Sequence, residues 1–171
     1  TRMLVHPKLT EAVADLIGPN VQLHHTKLHV KPPEKGSPFP LHQDYDYFPH
    51  EKDTMIAAVI YLEDVTEENG CLCVMPGVHT QGPLTHQHDG SHYLAPEEYT
   101  IEEATPCIGK AGDVVLFSYL TPHGSYPNRT NSPRRLVLFQ FRSPTDKALK
   151  DVHISPGQGM MVRGINPAME I

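Results

Sequence analysis

The sequence lacks the features that mark several protein classes. It contains no run of lysine or arginine and carries a formal net charge of -6, so we expect neither nucleic acid nor an anionic membrane surface as a partner. No apolar stretch approaches the ~20 residues that a membrane-spanning helix needs. The three cysteines, Cys71, Cys73 and Cys107, contain no CxxC pair, which argues against a zinc site and fits a reducing compartment. We therefore expect a cytoplasmic protein.

The chain begins with Thr1 instead of methionine. We therefore expect an N-terminal segment to be missing, and such a segment would hide any targeting peptide. A length of 171 residues suits one domain with a real core and is too short for two. We expect a single domain over residues 1–171, present as a monomer or homodimer.

Proline is abundant, at 17 of 171 residues, and this favours short strands and ordered loops over long helices. One short helix is predicted over residues 7–17, where apolar side chains recur at helical spacing between Pro7 and Gly18. Asn69-Gly70 predicts a hairpin turn. Strands are predicted over residues 21–31, 55–62, 71–75, 113–119 and 135–142. This pattern predicts a mainly β fold, a β-sandwich or jelly roll with a short N-terminal helix.

The tripeptide His42-Gln43-Asp44 carries the strongest chemical signal. In an extended strand, positions i and i+2 point to the same face, so His42 and Asp44 can bind one side of a metal ion. His123 follows the apolar strand 113–119 and can supply a second imidazole. Two histidines and one carboxylate, with the other positions open, form the ligand set of non-haem Fe(II) oxygenases. Arg134 lies at the start of the next predicted strand and offers a bidentate partner for a dicarboxylate.

Each of these residues also has a simpler interpretation. An HxD tripeptide occurs by chance in a chain with 12 histidines, and alternation alone does not say whether Arg134 or Arg135 faces inward. The shared face of His25, Lys27 and His29 is, by composition, expected to face solvent. Residues 78–106 form a long irregular segment, typical of a functional lid or of disorder. Three histidines in this segment could form a second metal site, but we expect them to be solvated: His86, His88 and His92.

Three blocks of sequence resemble the phytanoyl-CoA dioxygenase family of Fe(II)/2-oxoglutarate oxygenases: KPPEKGSPFPLHQDYDYFP, NGCLCVMPGVH and AGDVVLFSYLTPHGSYPNRTNSPRR. The similarity runs from about residue 21 to residue 143. It implies a double-stranded β-helix, a jelly-roll or cupin-like fold, with iron bound by His42, Asp44 and His123. It also implies that Arg134, with Ser125 beside it, binds 2-oxoglutarate. The co-substrate site would then be lined by the strand that carries Lys27 and His29.

The resemblance implies an enzyme that uses Fe(II), 2-oxoglutarate and O2 and releases succinate and CO2. The carboxylate at Asp44 favours hydroxylation of an unactivated C–H bond, because related halogenases have glycine or alanine at this position. We expect a small-molecule substrate, facing Tyr45, Tyr47 and Phe48 and covered by residues 78–106. Two alternatives stay open: a cupin-like metalloprotein that does not use 2-oxoglutarate, and a catalytically silent jelly-roll binding module.

Overall fold

A computed structural model describes residues 2–33, 36–151 and 154–168. One α-helix, α1 (Pro7–Ile17), precedes the strands, and 3-10 turns form at Asp44–Asp46, Val78–Gln81 and Ile101–Glu103. No helix in these ranges is long and apolar enough to cross a membrane. The strands are β1 (Val21–Lys31), β2 (Phe39–His42), β3 (Ile56–Tyr61), β4 (Leu72–Val74), β5 (Thr105–Pro106), β6 (Val114–Ser118), β7 (His123–Ser125), β8 (Arg134–Arg142) and β9 (Met161–Arg163).

The strands form two sheets whose paired strands are antiparallel. The larger sheet has the order β6-β3-β8-β1-β9, and the smaller has the order β2-β7-β4-β5. A cavity between them is lined by side chains of both sheets. The prediction of a mainly β fold with one short N-terminal helix is therefore confirmed.

Helix α1 covers part of the outer face of the larger sheet. Pro7 occupies the start of the helix, where its missing N–H costs nothing, and Gly18 ends it with a φ of +97°. Leu9 and Val13 are buried in one cluster with residues of β1, β3 and β8, including Phe141. Burial of such apolar side chains is worth about 1.5–3 kcal/mol each, so packing on the sheet stabilises this three-turn helix.

Strand β1 carries its polar side chains inward. Its pairing with β8 shifts between Leu23 and His25, and this bulge turns the following residues to the opposite face. Before the bulge, Leu23 packs beside α1. Beyond the bulge, Leu28 is 60% exposed, whereas alternate residues line the cavity, namely His25, Lys27, His29 and Lys31. The expectation from composition that this face is turned to solvent is therefore wrong for the half-buried His25 and His29, whereas Lys27 lines the cavity and is also exposed.

The hairpin predicted at Asn69-Gly70 does not form. Strand β3 belongs to the larger sheet and β4 to the smaller one, so the connection crosses between sheets. The Asn69 side chain stays within the turn, where it accepts from the Thr66 N–H at 2.8 Å and donates to the Asp64 carbonyl at 2.8 Å. These local bonds close the turn on itself, and the chain leaves Gly70 toward the other sheet.

Candidate metal centre

The pairing of β2 with β7 brings two distant histidines together. His42 ends β2 and lies directly opposite His123 at the start of β7. Gln43 remains extended (φ -105°, ψ 137°), so Asp44 returns to the same side before the 3-10 turn begins. Asp44 Oδ1 lies 3.8 Å from His42 Nε2 and 3.7 Å from His123 Nε2. The three ligand atoms lie within 4.8 Å of one another, which is close enough for all of them to bind a single ion.

Each imidazole is oriented by the carbonyl two residues before it. His42 Nδ1 donates to Pro40 O at 3.0 Å, and His123 Nδ1 donates to Thr121 O at 3.0 Å. Burial lowers the pKa of His42 to about 3 and that of His123 to about 4. Both rings are therefore neutral near pH 7, with the Nε2 lone pair free. Hydrogen bonding of the remote ring nitrogen is the usual means by which proteins orient metal-binding histidines.

Asp44 is held by a side chain from the larger sheet. Gln140 Nε2 donates to Asp44 Oδ2 at 2.7 Å, and the other carboxylate oxygen faces both imidazoles. Burial raises the pKa of Asp44, because a charged carboxylate is poorly solvated there. A divalent cation would compensate that charge. Two neutral imidazoles and a buried carboxylate aimed at one point therefore fit a non-haem iron centre.

The cavity beside these ligands has a volume of about 380 Å³, within the range of small-molecule sites. Its walls next to the ligands are largely apolar. Every second residue of β8 contributes to this wall, as expected for one face of a strand. The alternating set is Arg134, Leu136, Leu138 and Gln140, and other apolar lining residues are Val59, Leu72 and Phe117.

Arg134 and Arg135 have opposite environments. Arg134 is only 4% exposed and lines the cavity, where its Nε and Nη2 donate to Gly70 O at 3.1 and 2.8 Å. The side chain of Arg135 is 54% exposed and pairs with Glu63 at 2.7 Å. Strand alternation thus places Arg134 inside and Arg135 outside, a choice that sequence periodicity alone left open.

Lys31 is a site residue that sequence reasoning missed. Its Nζ donates to Ser125 Oγ at 2.7 Å and also contacts the Tyr126 carbonyl, and it is paired across the strands with Arg134. Burial, together with Arg134, lowers the pKa of Lys31 to about 8. Within the described ranges, neither Lys31 nor Arg134 forms an ion pair with a carboxylate. The signal was present in the sequence, because Lys31 continues the alternation of Lys27 and His29.

Lys27 and His29 lie on the cavity wall beside this cationic end. Burial and then the neighbouring Lys27 lower the pKa of His29 to about 4. Ser125 also lines the cavity and is buried. The cavity therefore contains the predicted co-substrate residues and, in addition, Lys31.

The predicted substrate wall is only partly present. Tyr47 and Phe48 line the cavity, but Tyr45 does not; it packs on Tyr119 with ring centroids 5.5 Å apart. A 3-10 turn places positions i and i+3 on one side. Tyr47 therefore shares the side of Asp44, and Tyr45 is turned toward the core.

Residues 78–106, all within the described ranges, do not line the cavity. The segment instead packs on the smaller sheet, where Leu94 and Ala104 are buried with Leu41 and Cys73. Leu94 N–H donates to Leu41 O at 2.8 Å. The expectation that this segment covers the substrate as a lid is therefore not met, because its apolar residues are already used in a core of their own.

A two-sheet fold with two histidines and a carboxylate at its centre is the arrangement of non-haem Fe(II) oxygenases. A model of the phytanoyl-CoA dioxygenase (PhyH) family matches residues 1–136, and the chain belongs to this family, whose members use Fe(II), 2-oxoglutarate and O2. It is 30% identical over 142 residues to a probable alpha-ketoglutarate-dependent hypophosphite dioxygenase of Stutzerimonas stutzeri, covering 78% of this chain and 49% of that protein.

The chain is also 32% identical over 148 residues to the peroxisomal phytanoyl-CoA dioxygenase of Homo sapiens, covering 80% of this chain and 44% of the relative. Among solved structures, the apo form of the non-heme monooxygenase ThoJ is similar with a TM-score of 0.83 and 26% identity. That match covers 96% of this chain and 61% of ThoJ. The chain thus spans about half the length of the curated relatives it matches.

Proposed function

We propose that this chain is an Fe(II)/2-oxoglutarate-dependent dioxygenase that hydroxylates an unactivated C–H bond of a small organic substrate. The observation that carries the proposal is the presence, in one cavity, of a buried metal triad and of two cations without a carboxylate partner in the described ranges. The triad is suited to a divalent metal, and the cations require an anion. A dicarboxylate that also chelates the metal satisfies both.

His42, Asp44 and His123 would hold the iron. Bound iron, with 2-oxoglutarate and O2, supplies the oxidation of the C–H bond, with succinate and CO2 as co-products. The contribution of the protein is geometry. The neutral histidines present their Nε2 lone pairs, and Gln140 holds the carboxylate so that one oxygen faces the metal position. Three ligands on one side leave the opposite side for the co-substrate and O2.

The remote carboxylate of 2-oxoglutarate would bind at the cationic end of the cavity. Arg134 supplies a buried guanidinium, Lys31 an ammonium group and Ser125 a hydroxyl. Lys27 and His29 lie next to this position on β1 and would line the co-substrate. Such charge-assisted hydrogen bonds are about twice as strong as neutral ones. The apolar β8 side chains between this end and the metal would keep water from the reacting atoms.

The substrate would approach along Tyr47 and Phe48, which line the cavity on the metal side. Relatives carry names that refer to chemically different substrates, hypophosphite and phytanoyl-CoA, and neither name is transferred to this chain. The carboxylate at Asp44 occupies a metal position that a halide would need, which supports hydroxylation over halogenation.

The test is succinate release from 2-oxoglutarate in the presence of Fe(II) and O2, without and with candidate substrates. We expect release in the wild type, none in a His42→Ala/Asp44→Ala variant, and unchanged release in a His6→Ala/His79→Ala variant that removes two exposed histidines elsewhere. Persistence of release in the triad variant would refute the proposal.

Arg134→Ala tests the proposed 2-oxoglutarate site, and binding to the wild type distinguishes the two alternatives. We expect the Kd for 2-oxoglutarate to rise about 30-fold or more, since truncating one partner of a buried charge pair costs about 2–5 kcal/mol. Arg135→Ala is the matched control and should leave that Kd unchanged. Metal binding without 2-oxoglutarate binding in the wild type would favour the cupin-like metalloprotein. Absence of both would favour the binding module.

A further inference from the structure

A second group of metal-binding side chains lies outside the cavity. Asp46, His88 and His92, here termed the loop cluster, present ligand atoms that all lie within 4.8 Å of one another. His88 Nδ1 is 3.7 Å from Asp46 Oδ2, and His92 Nδ1 contacts the same oxygen. The two imidazoles meet edge to face with centroids 4.6 Å apart. Two imidazoles and a carboxylate thus converge a second time in this fold.

The local backbone explains this convergence. Gln87 and Tyr93 form an antiparallel bridge, with N–H···O distances of 2.8 and 3.3 Å in the two directions. The bridge closes a short loop and brings together His88 and His92, which lie one residue inside it at each end. Asp46 belongs to the 3-10 turn that begins at Asp44, so the loop cluster joins residues 86–93 to the segment that supplies a ligand of the first site.

His86 lies next to the cluster but has a different role. Its Nε2 accepts from the Gln43 N–H at 2.9 Å, and its Nδ1 donates to Leu84 O at 3.0 Å. Both ring nitrogens are therefore occupied. This buried histidine holds the beginning of the loop against the backbone between His42 and Asp44. Its Nδ1 also lies 4.0 Å from Asp46 Oδ1, but that nitrogen already donates to Leu84 O, so His88 and His92 are the candidate ligands.

We propose that the loop cluster binds a divalent cation of the Zn²⁺ class through one carboxylate oxygen, two imidazole Nδ1 atoms and water. Zn²⁺ accepts this mixed set in tetrahedral geometry with ligand distances of about 2.0–2.2 Å. Such geometry sets the ligand atoms about 3.4 Å apart, and His88 Nδ1 lies 3.7 Å from Asp46 Oδ2. The site lies at the protein surface, where His88 has a half-exposed side chain. None of the three residues lines the cavity of the first site. The general affinity order of divalent metals for nitrogen and oxygen ligands favours Zn²⁺ over Fe(II).

Occupancy of the loop cluster would affect the wall of the first site. His92 stacks on Tyr47, with ring centroids 4.4 Å apart and an interplanar angle of 29°, and Tyr47 lines the cavity. A cation bound by Asp46 and His92 would hold that ring pair in place. Lys150 Nζ donates to the Asp46 backbone carbonyl at 3.0 Å and so does not compete with the two imidazoles for the carboxylate. We infer that metal at the loop cluster stiffens the Tyr47 side of the cavity.

Zn²⁺ stoichiometry, measured by competition with a chromophoric chelator, tests the proposal. We expect one more Zn²⁺ per chain in the wild type than in a His88→Ala/His92→Ala variant. The His6→Ala/His79→Ala control removes two exposed histidines and should keep the wild-type value. An equal stoichiometry in the wild type and the His88→Ala/His92→Ala variant would overturn the proposal.

A second measurement uses a variant that lacks two ligands of the first metal site. In the His42→Ala/Asp44→Ala background, Zn²⁺ should slow proteolytic cleavage within residues 86–93, and this protection should disappear when Asp46→Asn is added. Circular dichroism establishes that each variant is folded. If Zn²⁺ leaves the cleavage rate of the folded background variant unchanged, the loop cluster is not a metal site.

Discussion

Gln140→Met tests whether the larger sheet tunes the metal centre. Methionine has nearly the same shape as glutamine but cannot donate the 2.7 Å hydrogen bond to Asp44 Oδ2. Gln140 is 1% exposed, so water does not readily replace the lost donor. Loss of such outer partners typically costs about 10–100-fold in metal affinity or activity, or about 1.4–2.8 kcal/mol. We expect the Kd for Co²⁺, a stable substitute for Fe(II), to rise by this factor.

The measurement is anaerobic calorimetric titration of wild type and variant, with the Kd for 2-oxoglutarate determined separately. Gln22→Met is the matched control, because Gln22 is a buried glutamine that donates to the Gly159 carbonyl at 3.0 Å, remote from the cavity. Both variants should lose stability, but only Gln140→Met should lose metal affinity. An unchanged Co²⁺ affinity in folded Gln140→Met would show that Asp44 is oriented without its help.

Two further predictions concern buried charges, and a third concerns the close approach of two strands. Asp44→Asn removes a buried charge, so the free energy of unfolding of the metal-free protein should increase by about 0.5–2 kcal/mol. Each kcal/mol should raise the Tm by about 2–4 °C. Calorimetry should also show that Co²⁺ no longer raises the Tm of this variant. The pKa of Lys31 is lowered to about 8, so the folded protein loses this positive charge above about pH 8, while the unfolded chain retains it. The Kd for 2-oxoglutarate should therefore rise between about pH 7 and pH 9. In the Lys31→Met variant that rise should be smaller. Gly124→Ala would place a Cβ 2.5 Å from the Phe39 carbonyl, so it should cost about 1–3 kcal/mol in urea unfolding, and retained stability would contradict the close approach of β2 and β7.

The sequence was informative where a local pattern has one structural outcome. The i, i+2 spacing of His42 and Asp44 survives in the fold because Gln43 is extended. Helix α1 and strand β1 match their predicted ranges, 7–17 and 21–31. Family resemblance supplied what periodicity could not, namely the inward direction of Arg134 and of the polar face of β1.

Other features depend on contacts between distant residues. Nothing near Gln140 in sequence indicates that it meets Asp44, because the bond joins β8 to the 3-10 turn that follows β2. The Asn69-Gly70 signal is local, and it could not reveal that the next strand belongs to the other sheet. Tyr45 follows the metal motif in sequence, yet the 3-10 turn directs it to Tyr119.

The carbonyl groups that orient His42 and His123 have a consequence for metal choice. Each ring is held by a hydrogen bond to the backbone carbonyl two residues before it. The orientation of both imidazoles is therefore fixed before a metal ion binds. A set of two imidazoles and one carboxylate can also bind Ni²⁺, Cu²⁺ and Zn²⁺, and such donors generally bind these ions more tightly than Fe(II). We therefore expect these ions to compete with Fe(II) in a mixed metal pool, so the ion bound would depend on which metals the surroundings supply.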